Sequence, residues 1–82
     1  MSPTELIADR AATHGDWNTQ AATAQALKRV LHDSPNWEML TCQQREALEM
    51  VCVKMSRILN GNPDAQDHWD DLAGYWELGR RE

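Results

Sequence analysis

The chain has 82 residues, a length that holds one domain around a small core. Thirteen acids against eight bases give a net charge of -5, which excludes a general electrostatic grip on nucleic acid. Hydrophobic residues make up 41% and mean hydropathy is -0.68, so no stretch approaches the roughly 20 apolar residues that span a bilayer. Met1-Ser2-Pro3-Thr4-Glu5 lacks the basic and apolar regions of a secretion signal.

The first predicted element opens at Ser2-Pro3-Thr4-Glu5, with a serine cap, proline at the first helical position and glutamate at the third. That helix should run to about Thr13, where His14-Gly15-Asp16-Trp17 breaks it and Gly15 suits a left-handed cap. Asn18 can cap a second helix reaching about His32, its body rich in Ala, Gln, Leu, Lys and Arg. Asp33-Ser34-Pro35-Asn36 is a turn, and a short helical piece follows through Trp37 to Leu40. Thr41-Cys42-Gln43-Gln44 is a second capping pattern, starting a third helix from about Cys42 to Asn60. Gly61 is its expected cap, with Pro63 just beyond. The last helix begins at Asn62-Pro63-Asp64 and reaches about Arg80. Alternating strand patterns and Phe are absent. The expected fold is all-α: a single domain over 1–82, a bundle of three to four helices completed by self-association into a dimer or tetramer.

The third helix carries an apolar stripe of Leu48, Val51, Cys52, Met55, Ile58 and Leu59 at spacings of three and four. Glu46, Met50, Val53 and Arg57 form a second, mixed stripe, with Glu49 and Lys54 beside it. A helix contacted on two sides is expected, against either a second subunit or a ligand cleft. In the last helix Trp69, Leu72, Ala73 and Trp76 read as core. Asp67, Asp71, Gly74 and Leu78 line the other side, and Gly74 calls for close packing or room for a ligand.

Asp64, Asp67, Asp70 and Asp71 crowd the start of that helix. They suit the helix dipole, or alternatively a hard divalent cation such as Mg²⁺. Antiparallel packing would bring Lys54 and Arg57 to the Asp67 and Asp71 end, and Glu46 and Glu49 towards Trp76 and Arg80. His14 and His32 fall at helix ends, and His68 reads as a surface or carboxylate-paired imidazole. Cys42 and Cys52 match no metal or redox spacing and read as small core thiols in a reducing cytosol. Trp17 and Trp37, at helix entries, staple loops or stack on a base, the staple being the better fit. Nucleophile triads, glycine-rich phosphate loops and HExxH are absent.

His14-Gly15-Asp16-Trp17, Ala24-Gln25-Ala26-Leu27-Lys28, Glu46-Ala47-Leu48-Glu49-Met50, Lys54 with Arg57-Ile58-Leu59-Asn60-Gly61, and Asp67-His68-Trp69-Asp70-Asp71-Leu72-Ala73-Gly74-Tyr75 resemble a small domain of phages and prophages. That domain is similar in turn to the MazG-like all-α nucleotide pyrophosphohydrolases, in which a Glu-x-x-Glu helix and a Glu-x-x-Asp helix hold Mg²⁺ against a nucleoside triphosphate. The resemblance implies Mg²⁺ as cofactor, held by Glu46, Glu49, Asp67 and Asp71. It implies nucleotide contacts from Lys54, Arg57 and Tyr75, and a setting in the cytoplasm, the host's if phage-encoded. The sequence departs from the enzymes in its Asp-x-x-x-Asp pair and in carrying Lys54 and Arg57. Three functions follow: a Mg²⁺-dependent nucleoside triphosphate pyrophosphohydrolase, a non-catalytic binder that sequesters a nucleotide or nucleotide-derived signal, and an acidic helical module docking onto a host or phage protein.

Overall fold

The computed structural model describes residues 2–80 as four helices: α1 (Pro3–His14), α2 (Trp17–His32), α3 (Cys42–Asn60) and α4 (Gln66–Gly79). A 3-10 turn over Trp37–Met39 links α2 to α3, and no strand occurs among the described residues. The expected all-α bundle is therefore the fold. No helix among them is long and apolar enough to cross a membrane.

The caps follow local chemistry. The backbone N–H of Glu5 donates to the Ser2 hydroxyl at 3.1 Å, ahead of Pro3. Thr41 and Gln44 cap each other reciprocally, at 3.1 and 3.2 Å, before the long α3. α2 starts two residues earlier than Asn18 predicts, because Asp16 accepts from the N–H of Thr19. α4 begins at Gln66 rather than Asp64. An Asx turn (Asp64 N–H to Asn62 Oδ1, 2.9 Å) holds Asn62 to Asp64 outside the helix.

α3 is the central element, antiparallel to both neighbours. On one side His32 meets Glu49 and Thr23 meets Asn60, which sets the course of α2. On the other, Gln44 donates to the Gly79 carbonyl and Lys54 pairs with Asp71, which sets α4. The two-sided contact expected for this helix comes from α2 and α4 of the same chain. Its buried residues, Ala47, Val51, Cys52, Lys54 and Ser56, serve both faces, while Met55 and Leu59, expected in the apolar stripe, are exposed.

α4 turns a different face inward than hydrophobicity predicts. Trp69 and Trp76 are 51% and 57% exposed, and Ala73 is exposed. The residues turned towards α3 are His68, Leu72, Tyr75 and Gly79, spaced four, three and four. Gly79 permits this: a Cβ there would press the Ala47 methyl at 3.2 Å. Trp69 instead braces the preceding loop, its indole N–H donating to the Pro63 carbonyl at 2.8 Å. Cys52 is buried and its thiol is pushed up by burial; Cys42, expected in the core, is exposed at the first position of α3. Trp37 is the staple expected, flanked by the His32 ring at 4.9 Å and the Arg45 guanidinium at 5.8 Å.

α1 buries no residue and is tied down at its C-terminal end. There the chain around Thr13 to Gly15 crosses the chain around Asn60 to Asn62. Gly15 adopts φ +87°, and a Cβ on it would overlap the Asn60 carbonyl. A Cβ on Gly61, whose φ of -119° is ordinary, would overlap the Thr13 carbonyl. The Asn62 N–H donates to that carbonyl at 2.9 Å.

Candidate functional site

The crossing opens a groove of about 490 Å³ between α1 and the α2–α3 pair. From α1 come Ile7, Arg10, Ala11 and His14, which share one helix face; Trp17 and Gln20 come from α2, and Arg57 from α3. Its chemistry is two-sided. Ile7, Ala11 and the 65%-exposed Trp17 offer apolar surface, whereas Arg10 and Arg57 offer positive charge and His14 an imidazole. The Nε of Arg57 is buried and finds no hydrogen-bond partner among the described residues.

Behind this wall stand two further basic side chains. Lys54 is only 8% exposed, and its ammonium meets the Asp71 carboxylate at 2.8 Å. That hydrogen bond and charge hold the Asp71 carboxyl below its ordinary value. His68 is 2% exposed, with Nε2 3.4 Å from the Thr13 carbonyl, Nδ1 without a partner among the described residues, and its ring 5.1 Å from that of His14. The surface or carboxylate-paired role read for His68 is thus corrected: it is buried beside another imidazole. Burial, then the charges of Arg57, His68, Lys54 and Arg10, hold His14 below the ordinary imidazole range.

The residues singled out from the sequence are distributed differently from the expected single crevice. Glu49 faces α2, 2.9 Å from His32 Nε2. Asp71 is engaged by Lys54, and Asp67 is exposed in the first turn of α4. Glu46 lines a second groove of about 490 Å³, beside Met50, Tyr75 and Leu78. Among the described residues no three His, Cys, Asp or Glu side chains are grouped to hold a metal ion, so within one chain this donor set does not fit the Mg²⁺ site that the resemblance implies. Tyr75 and Arg57 line different grooves: along α3 the Tyr75 groove reaches Met50, about 10 Å from Arg57. Gly74 has open space around it and serves no close packing within the chain.

Arg10 and His14, two of the three basic side chains in the first groove, were not among the sequence candidates. Their signal was present: Ile7, Arg10, Ala11 and His14 recur at helical spacing, joining two apolar side chains to two basic ones on one face. The crossing of α1 over α3, which brings Arg57 to that face, is a tertiary event that spacing does not encode.

Fold and groove together describe a small four-helix domain with one basic, partly apolar groove. The chain belongs to the DUF6378 family, a domain of unknown function, which matches residues 3–81. Neither a curated protein nor a solved structure gives a significant match.

Proposed function

We propose that this protein is a nucleotide-binding domain that holds its ligand in the groove between α1, α2 and α3 and retains it unhydrolysed. The observation that carries this reading is the gathering of Arg10, His14 and Arg57 in one groove on a chain of net charge -5. Guanidinium groups match phosphate oxygens in a planar, bidentate fashion and remain charged at any physiological pH. Ile7, Ala11 and Trp17 supply an apolar, partly aromatic wall on which a base can lie.

The resemblance to MazG-like proteins of phages and prophages supports a nucleotide over other anions. The engagement of Glu49 by His32 and of Asp71 by Lys54 favours sequestration over hydrolysis. Mg²⁺ enters this reading as the nucleotide's own counter-ion. Self-association into a dimer or tetramer belongs to the same proposal, supported by the exposure of Leu59, Trp69, Trp76 and Leu78.

A panel of nucleoside mono-, di- and triphosphates, with and without Mg²⁺, tests it through melting temperature and phosphate release on one sample. The expected result is a rise of several degrees for at least one nucleotide, without turnover. Arg57→Ala should weaken binding about tenfold or more, the usual loss for a hydrogen bond to a charged group. Turnover that Asp71→Asn abolishes would replace sequestration by hydrolysis. Unchanged melting across the panel would remove the reading, and a sedimentation mass of 9.4 kDa would remove self-association.

A further inference from the structure

The third basic side chain of the groove has a property the other two lack. Arg10 and Arg57 are charged throughout the physiological range, whereas an imidazole gains or loses its proton near neutrality. His14 lies in the last turn of α1 and lines the groove together with both arginines. The ionisable groups around it come from three helices: Arg10 on α1, Lys54 and Arg57 on α3, and His68 on α4. Of these, Lys54 is paired with the Asp71 carboxylate at 2.8 Å. Repulsion from cations and partial burial therefore both favour neutral His14. An anion lodged between Arg10 and Arg57 reverses the first of these terms, because its charge cancels theirs and attracts an imidazolium N–H.

We propose that His14 is the third anion ligand of this groove and takes up a proton from solvent when a phosphoryl dianion binds. The proton, given up by solvent, forms a new N–H bond on the imidazole ring that donates to a phosphoryl oxygen, and no other covalent bond changes. This inference rests on the nucleotide-binding reading of the same groove, although its chemistry requires only the dianion. The consequence is regulation by pH: for a ligand of fixed charge, affinity rises as pH falls through neutrality, in a range where the arginines do not titrate.

Nuclear magnetic resonance titration of the imidazole C–H signals of His14, His32 and His68 tests this on the intact protein, with His14→Gln used for assignment. Sulfate and ATP are the probes. Sulfate is a dianion that does not itself titrate between pH 5 and 9, so any change of midpoint belongs to the protein. The expected result is a His14 midpoint that moves from below about 6.5 to above it with either probe, by a unit or more. That shift corresponds to at least tenfold tighter binding to the protonated form, while His32 stays in place. ATP binding that leaves the His14 midpoint unmoved would overturn this inference and leave the nucleotide reading intact. A His14 shift with sulfate and no binding of any nucleotide would uphold the inference and end the nucleotide reading. Failure of both anions to bind at millimolar concentration would overturn both.

Discussion

Lys54 and Asp71 show how one residue pair fixes the α3–α4 register through charge. The lysine stem is buried and its ammonium reaches the edge of α4, where Asp71 waits at 2.8 Å. Asp71→Asn leaves that ammonium with little water and no acid, so it should lower the urea midpoint more than Lys54→Met, which keeps the buried stem and removes the charge. The same residues predict the pH profile. Asp71 is held below its ordinary value in the folded chain, so the unfolded chain binds more protons in acid. Its contribution is therefore full above about pH 4 and lost as pH falls further. His14 is depressed as well, so its step comes earlier, with stability full above about pH 6.5 and falling below it. Melting followed by circular dichroism from pH 8 to 3 should show both steps, His14→Gln removing the first and Asp71→Asn the second. A profile unchanged by His14→Gln would contradict its placement among cations. Lys54 and Arg57 were both legible as candidates from the sequence. Their separate fates, one paired beneath α4 and one lining the α1 groove, depend on which neighbour covers each part of α3.

At the scale of elements, the glycines divide by what stands opposite them. Gly15→Ala would force a side chain into a left-handed φ and onto the Asn60 carbonyl, and should cost about 2–3 kcal/mol in urea unfolding. Gly74→Ala meets open space on a helix and should stabilise by up to about 1 kcal/mol. Equal effects of the two substitutions would contradict the crossing of α1 over the end of α3. Helix existence and most boundaries were legible because they are local: Ser2, Thr41, Gly15 and Gly61 act within a few residues of themselves. The inward face of α4 was not. Trp69 and Trp76 outrank His68 and Tyr75 in hydrophobicity, yet an indole can lie on the surface and brace a loop through its N–H, as Trp69 does with Pro63. A buried imidazole beside His14 has no counterpart in a hydrophobicity pattern.

For the whole molecule, charge segregation is the property that matters. Acids lie along the exposed side of α4, where Asp67 and Asp70 face solvent, while Arg10, His14, Lys54 and Arg57 approach one another from α1 and α3. Arg57 lines a groove whose opposite wall is α1, the least hydrophobically patterned helix, rather than one between α3 and α4. The proposed ligand sits in that groove. An amide and indole correlation spectrum of the ¹⁵N-labelled protein, recorded as ATP is added, tests this most directly. The predicted result is shifts concentrated at Arg10, His14, Gly15, the Trp17 indole and Arg57. Shifts concentrated instead around Glu46, Met50 and Tyr75, or spread without focus, would contradict it.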